Sequence, residues 1–513
     1  MEKKFFSFIT QVITFTIVAY AGVNVVSYLF FSKKPASVAC QAPESVVVLR
    51  PLATKAAFLD GESSRREKTM QLKTNWGTLI FSSHGGTLQR FEVNRPLQGK
   101  DGAITTVFPM PAEQQMDRCF LTVLDRETPY YYQLSDTVEN DSVYEVEFTA
   151  KTKTEMIKKR FTIFKDSYKI NLSLSINNYH DSMPLRVRTI FSAPEMVEIQ
   201  NKDVIAGFVS EGGAVKRFAE SVAPVDLYWP QENLFGLSNR YFIHACIGSS
   251  SNENDERNYF MRSEKGRLMC CMESSEIEKK QELNWEFYFG PKDINDIRPV
   301  AARLEELVDY SGWLAPVSVF MLSVLKFFNN YLGNFGWAII LLTILMRLLM
   351  LPFSPDPAKG KEQKKESERQ LRYIEKKYKN DPERLNKEKL AILKNQLSGG
   401  SFLIGLLNFP IFMALNRLLA SSIELYQAPF IKGWIVDLSA PDPYYILPAL
   451  FGVGLLCYGF QQAEASQRIM FMGMAALAMA FFSSFSAGLL LFFVTNILVQ
   501  LLITVVTKKF NRA

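Results

Sequence analysis

The feature that most constrains this chain is a series of apolar runs in its C-terminal part. From about residue 311 to the end, runs of 17 to 22 residues alternate with short polar links and one charged block. A helix needs about 20 mainly apolar residues to cross the hydrocarbon core of a bilayer. We therefore predict membrane-spanning helices at residues 336–353, 402–423, 444–460, 469–485 and 488–506.

A sixth apolar run, residues 5–31, follows Lys3 and Lys4. It is longer than the core of an ordinary signal peptide and long enough to span a membrane. We interpret residues 1–32 as an uncleaved N-terminal signal anchor, which brings the predicted number of spans to six.

The distribution of basic residues predicts how the spans are oriented in the membrane. The block 355–400 holds 13 Lys/Arg against 8 Asp/Glu, and three more basic residues lie in the final "TKKFNRA". Basic loops beside spans mark the cytoplasmic side. We expect both termini in the cytoplasm and residues from about 33 to 335 outside it. The formal net charge of +6 therefore reports topology, and we expect no direct nucleic-acid binding.

Two segments beside the spans allow alternatives. The stretch "WLAPVSVFMLSVLKFF", residues 313–328, is apolar enough to span, but a span here would place the basic block outside. We favour an amphipathic helix that lies in the interface on the outer face of the membrane. In the block 355–400, Asn380, Asp381 and Pro382 supply a stop, a cap and a first-turn proline. This pattern favours a charged helical hairpin over a solvated charge run.

Residues 33–310 form the predicted outer domain, and their pattern from about residue 70 has period two. In "YKINLSLSINN", Tyr168, Ile170, Leu172, Leu174 and Ile176 alternate with polar residues, as in a half-buried strand. Tyr144, Val146 and Phe148 repeat the pattern. We predict an all-β sandwich with few helices before residue 290.

This outer domain shows no sign of enzymatic chemistry. The three histidines of the chain, His84, His180 and His244, have no carboxylate at a spacing that suggests a metal or acid–base pair, so we expect structural roles. The six cysteines have no metal-ligand spacing. Five of them precede the predicted spans, where disulfides are permitted, so both disulfides and free thiols stay open.

Polar residues recur within three of the predicted spans. Arg347 lies in "TILMRLLMLP", about 9 Å from the cytoplasmic end of its span at helical rise, and Thr343 shares its helix face. Two further stripes with a spacing of four are Asn408, Phe412 and Asn416, and Phe492, Asn496 and Gln500. An isolated arginine at this depth can snorkel to the headgroups. Three partly polar faces together favour a shared, hydrated interior, and the spans offer no acidic partner for Arg347.

These segments resemble the YidC/Oxa1/Alb3 membrane protein insertases, and most closely the Gram-negative YidC proteins with a large periplasmic domain. The similar segments are "NFGWAIILLTILMRLLMLPFS", "IELYQAPFIKGWIVDLSAPDPYYILPAL", "SAGLLLFFVTN", "LKTNWGTLIFSSHGGTLQRFEV" and "YFGPKD". The resemblance covers nearly the whole chain.

The resemblance implies a polytopic α-helical protein of the bacterial inner membrane. A five-helix insertase core in residues 311–513 would enclose a hydrophilic groove, open to cytoplasm and lipid, and would follow a periplasmic β-supersandwich. The residues expected at the groove are Arg347, Thr343, Asn408, Phe409, Phe412, Phe492, Phe493 and Asn496. The chain would be an insertase and chaperone without cofactor or enzymatic activity. Expected partners are nascent membrane proteins, the lipid bilayer, Sec translocon components, the ribosome–nascent chain and the signal recognition particle receptor.

The sequence departs from the family pattern at the last span. Members often carry Pro at the position of Ser486 and Tyr at those of Phe492 and Phe493, so this wall is expected to be less polar. Two other classes stay open on sequence alone. An ion-coupled transporter would need a path through both membrane faces, and a membrane-anchored sugar-binding or sugar-isomerising protein would place its activity in the outer domain.

Overall fold

The computed structural model describes most of residues 67–308 and the helical segments from residue 315 to 510. The described ranges are 67–95, 103–106, 118–124, 131–151, 154–179, 186–194, 205–211, 213–225, 227–230, 234–249, 256–262, 266–308, 315–350, 413–460 and 465–510, with single helical positions between 369 and 388. The predicted anchor at 1–32 and most of the predicted hairpin at 355–400 lie outside these ranges.

The described residues of the β-domain form eighteen strands. In chain order they are β1 Thr69–Lys73, β2 Gly77–Ser82, β3 Thr87–Arg95, β4 Ala103–Thr106, β5 Leu121–Leu124, β6 Gln133–Glu139, β7 Val143–Lys151, β8 Glu155–Phe164, β9 Lys169–Asn178, β10 Val187–Ser192, β11 Ala206–Glu211, β12 Ala214–Ala219, β13 Tyr228–Pro230, β14 Phe235–Ser238, β15 Phe242–Ser249, β16 Arg257–Arg262, β17 Leu268–Glu273 and β18 Lys280–Pro291.

These strands form three antiparallel sheets. Their orders are β1-β2-β3-β4, β13-β16-β17-β10-β5 and β12-β11-β14-β15-β18-β9-β8-β7-β6. The strand predicted from "YKINLSLSINN" is β9, in the middle of the nine-stranded sheet, and its burial alternates as expected, with Ile170, Leu172, Leu174 and Ile176 buried. The prediction of a β-rich outer domain is thus confirmed, and the helices before residue 300 are short.

Aromatic side chains fill the space between the sheets. The Phe120 ring lies 5.4 Å from that of Phe161 and 5.0 Å from that of Phe289. Beside them the fully buried Lys159 Nζ donates to the carbonyls of Gly85, at 2.6 Å, and Phe120, at 2.7 Å. Gly85 has φ 73° and Gly86 φ 55°, a backbone that suits glycine. Lys159 therefore holds the Gly85–Gly86 turn in place through these hydrogen bonds. Burial lowers the pKa of Lys159 well below its usual value.

His244 and four cysteines lie in the interior of the β-domain. His244 is buried, stacks on Phe289 with ring centroids 4.2 Å apart, and donates from Nδ1 to the Ser192 carbonyl at 2.9 Å. Cys119 is buried, Cys246, Cys270 and Cys271 are buried free thiols, and Cys457, in a later helix, is an exposed free thiol. Burial raises the pKa of Cys246 and of Cys271 to about 12. His180 and Cys40 lie outside the described residues.

The helices begin after the β-domain. They are α1 Ile294–Ile297, α2 Ala315–Leu332, α3 Phe335–Met350, α4 at 413–421, α5 Ile446–Phe460, α6 Ala465–Phe482 and α7 Ala487–Phe510, with 3-10 turns at Glu220–Val222, Ala302–Leu307 and Ile423–Leu425. Between 369 and 388 the described residues are helical apart from Tyr378, which lies in a turn.

The helix boundaries differ from the predicted ones by a few residues. α2 continues to Leu332, four residues past its predicted end, and stops where Gly333 adopts φ 62°. The chain leaves α4 at 421, since Ile423 already lies in a 3-10 turn. Among the described helices, the segment Ala487–Val506 is long and apolar enough to cross a membrane, and three shorter apolar helices accompany it at Phe335–Leu349, Ile446–Phe460 and Phe471–Phe482.

Glycines let these helices approach one another closely. A Cβ at Gly452 would lie 2.5 Å from Met479 Cγ, and one at Gly454 would lie 2.7 Å from Ile497 Cγ2. Small residues at such contacts are typical of helix packing in lipid, where close backbone approach replaces the hydrophobic driving force. α5 is therefore in close contact with both α6 and α7.

The β-domain contacts the side of α2 and the C-terminal end of α4. Arg240 Nε donates to the carbonyl of Ala420 at 2.6 Å, and so satisfies a carbonyl in the last turn of α4. Lys326 of α2 forms ion pairs with Asp293, at 3.4 Å, and Glu424, at 3.0 Å. Asp293 is also the N-cap of α1. The three segments therefore meet at one polar junction.

Candidate functional site

Helix α3 carries the central residue of the candidate site. Its N-cap is Asn334, whose Oδ1 accepts from the backbone nitrogens of Gly336, at 2.8 Å, and Trp337, at 3.3 Å. Arg347 lies in the last turn of α3, about 18 Å along the helix from Phe335. The negative end of the helix dipole favours a cation there.

The Arg347 guanidinium is half-buried against α7. Nε donates to Asn496 Oδ1 at 2.5 Å, and Nη1 donates to Gln500 Oε1 at 3.1 Å. Within the described part of the chain, the guanidinium forms no ion pair. The structure thus brings Arg347 together with the polar stripe of the last helix, and the positive charge is held by neutral groups.

Thr343 lies one turn nearer the N-terminal end of α3 and is buried. Its Oγ1 donates to the carbonyl of Ile339 at 2.7 Å, within its own helix. The hydroxyl proton of Thr343 is therefore already engaged, and this residue differs from Arg347, whose remaining N–H groups form no hydrogen bond to described residues.

Phe492 and Phe493 point to different surroundings. Phe492 is buried, whereas the Phe493 ring lies 5.6 Å from that of Phe451 and 5.1 Å from that of Phe482. Phe493 therefore belongs to an aromatic cluster between α5, α6 and α7. Both residues contribute apolar surface where the family pattern expects tyrosines.

Part of the predicted groove lies outside the described residues, namely Asn408, Phe409 and Phe412, so these stay predictions. Gln500, by contrast, contacts Arg347 directly although the family motif gave it no role. Its spacing of four residues from Asn496 is the sequence signal that finds it. Among the described residues, no group of His, Cys, Asp or Glu is arranged to hold a metal ion.

Two family models match the chain. Residues 78–324 match the YidC periplasmic domain, and residues 327–513 match the 60Kd inner membrane protein family. The two matches cover the β-domain and the helices that hold Arg347. The junction between them falls within α2.

The curated relatives agree with these matches. A membrane protein insertase YidC of Geotalea daltonii is 26% identical over 97% of each chain. The YidC of Oleidesulfovibrio alaskensis is 36% identical over 41% of each chain. These relatives are named as insertases, and this agrees with the expectation that the chain is not an enzyme.

Among solved structures, an active YidC insertase with its first transmembrane domain resolved covers 95% of this chain, with 17% identity and a TM-score of 0.31. The family models match both halves of the chain, and the YidC relative of Geotalea daltonii aligns over nearly its whole length. The chain belongs to the YidC family of inner-membrane protein insertases, with a β-rich periplasmic domain.

Proposed function

We propose that this chain inserts membrane proteins into the bacterial inner membrane and assists their folding, through a groove that contains the single charge of Arg347. The observation that carries the proposal is a half-buried guanidinium held by Asn496 and Gln500 without an acidic partner among the described residues. A buried arginine in an apolar helix is costly and marks function in membrane proteins.

The charge would act on acidic residues in the outer segment of a client. Two opposite charges 4 Å apart attract by about 1 kcal/mol in water and by about 4 kcal/mol at the effective dielectric constant near a protein surface. A half-buried arginine therefore attracts a carboxylate more strongly than an exposed one. Its position in the inner half of α3 would also shorten the apolar distance that the client segment has to cross.

The apolar spans of a client would leave along lipid-facing helices. On α6, the side chains of Met472, Leu477 and Phe481 are exposed, and α7 exposes Leu498 and Leu502. Unpartnered apolar side chains of this kind suit contact with lipid or with an apolar client helix. Methionine adapts to different partner shapes, so α6 is suited to clients of varied sequence.

The geometry supports the six-span topology that the sequence predicts. The β-domain contacts the last turn of α4 through Arg240 and the side of α2 through Asp293. In the proposed topology α3 would run from this outer side to the cytoplasmic side, where the charged block 355–400 follows it in sequence, and α4 would return to the outer side. The β-domain and the basic block would therefore lie on opposite sides of the membrane, with both termini in the cytoplasm.

The proposed partners follow from this role. Nascent membrane proteins would be the clients, delivered by ribosome–nascent chain complexes with the signal recognition particle receptor, and the Sec translocon would share part of the work. The basic block 355–400, placed in the cytoplasm by this topology, would attract such partners through its charge.

Site-specific photo-crosslinking tests the proposal. The full-length chain would carry a photo-reactive residue at position 347, and the client would be a ribosome-bound membrane protein with a neutral outer segment, because the substitution removes the Arg347 charge. We expect a crosslink from position 347 and none from Val222, which is exposed on the β-domain. Absence of a crosslink from position 347 during insertion would refute the groove.

A further inference from the structure

The Arg347 charge is held by two amides that lie one turn apart on α7. Nε donates to Asn496 Oδ1 at 2.5 Å and Nη1 to Gln500 Oε1 at 3.1 Å. We infer that Asn496 and Gln500 are positioning residues that aim the guanidinium while leaving its charge uncompensated, and that they thereby set the preference for clients with a carboxylate in the outer segment. This inference rests on the proposed function.

The chemistry of the guanidinium requires acceptors at these two places. Arginine has five N–H groups and no acceptor, so each partner has to present an oxygen. An amide oxygen accepts the bond and adds no charge. A carboxylate at the same place would form a charge-assisted pair, roughly twice as strong as a neutral hydrogen bond, and would compete with the client for the same cation.

The two bonds leave most of the donors of the guanidinium unused. One N–H on Nε and one on Nη1 are engaged, and the second N–H of Nη1 and both on Nη2 form no hydrogen bond to described residues. A guanidinium can bind a carboxylate through two parallel N–H donors. The amides therefore hold the guanidinium at two donors and leave three N–H groups, two of them on Nη2, for a client carboxylate.

Packing of α7 against α5 fixes the rotation of α7 and so keeps the Asn496 and Gln500 amides facing α3. Ile497, next to Asn496, packs on Gly454 of α5, where a Cβ would lie 2.7 Å from Ile497 Cγ2. A helix locked at Ile497 cannot turn Asn496 away from α3 without opening this contact. Gln500 follows one turn later, about 6 Å along the axis.

The test uses isosteric changes that differ from the native residues only in charge, Asn496→Asp and Gln500→Glu. Full-length protein in liposomes would insert two matched clients, one with aspartates in its outer segment and one with asparagines at the same positions. We expect Asn496→Asp to lower insertion of the acidic client by about tenfold, which corresponds to about 1.4 kcal/mol of lost attraction, and to lower insertion of the neutral client much less.

Further variants separate positioning from structure. Asn496→Gln, which keeps an amide oxygen, should retain most of the preference for the acidic client, whereas Gln500→Glu should behave like Asn496→Asp. In an Arg347→Ala background, Asn496→Asp should cause no further loss, because no cation is left to neutralise. The neutral client reports in each case that the variant is folded.

Two results would overturn the inference. Insertion of the acidic client at the wild-type level by both Asn496→Asp and Gln500→Glu would show that the amides do not protect the charge. Equal loss of both clients would show a purely structural role. If the unsubstituted protein inserts neither client, the proposed function itself fails, and the inference fails with it.

Discussion

The Lys326 ammonium lies 3.0 Å from the Glu424 carboxylate, so the helix that follows the β-domain is tied by charge to the segment that follows α4. The same ammonium reaches Asp293, the cap of a short helix at the end of the β-domain, at 3.4 Å. One cation thus joins three segments that are far apart in sequence. This junction holds the β-domain against α2 and the segment that follows α4.

Replacement of Lys326 by methionine should loosen the junction. The side chains of Asp293 and Glu424 are only 7% and 9% exposed, so they would lose a cation in a place with little water. We expect a loss of about 1 to 2 kcal/mol in the free energy of unfolding, since Lys326 itself is partly exposed. Urea unfolding of the purified full-length protein measures this loss.

Lys326→Arg, which keeps the charge, is the control, and its stability should stay near that of the wild type. Equal stability of Lys326→Met and Lys326→Arg would contradict the role of the ion pairs.

Gly336 should not tolerate a side chain. A Cβ at this position would lie 2.0 Å from Cδ2 of Phe430, whose ring also packs edge-on against Trp337 at 5.4 Å. The Phe430 carbonyl accepts from Asn334 Nδ2 at 2.9 Å, which limits how far the ring can move. We expect Gly336→Ala to cost about 1 to 3 kcal/mol through overpacking, measured as a lower thermal midpoint.

A double variant provides the control for Gly336. Phe430→Ala removes the ring, so adding Gly336→Ala to it should have little further effect. If the two substitutions instead lower stability additively, then the contact between Gly336 and the Phe430 ring is not the reason for the glycine.

The stability of the β-domain should depend on pH through His244. Burial lowers the pKa of this side chain from 6.5 to about 3. In the unfolded chain His244 becomes protonated below pH 6.5, whereas in the folded chain it stays neutral down to about pH 3. The contribution of His244 to the free energy of unfolding is therefore complete above pH 6.5 and decreases as the pH falls. Between pH 7.5 and pH 5 the loss should be about 2 kcal/mol.

Hydrogen exchange of the amides in β15, compared between wild type and His244→Phe at each pH, measures this effect and cancels the intrinsic pH dependence of exchange. Phenylalanine can still stack on Phe289 but cannot titrate. The difference in opening free energy between the two proteins should shrink or change sign toward the acidic side. A difference that is constant from pH 7.5 to pH 5 would contradict the account.

The sequence predicts the features of this chain that arise from local periodicity. The alternation in β9 is visible in four apolar residues because one face of the strand is buried. The polar stripe of α7 is visible because Asn496 and Gln500 are one turn apart. Helix ends are less predictable, since Gly333 and not the end of the apolar run determines where α2 stops.

Contacts between distant segments could not be predicted in this way. The hydrogen bond from Arg240 to the carbonyl of Ala420 joins residues 180 positions apart, and no sequence pattern near either residue predicts it. The buried Lys159 appears as an ordinary charged residue of a strand until the fold places it under the Gly85–Gly86 turn. The direction of Phe493 likewise depends on the rings of Phe451 and Phe482, which other helices supply.

Charge reversal at Arg347 tests the central claim most directly. In bacterial cells depleted of their own insertase, this chain or its Arg347→Glu variant would insert one client with aspartates and another with lysines at the same outer positions. We expect Arg347→Glu to lose the aspartate client and to improve insertion of the lysine client relative to the unsubstituted chain. Equal insertion of the aspartate client by both proteins would contradict an electrostatic role for Arg347.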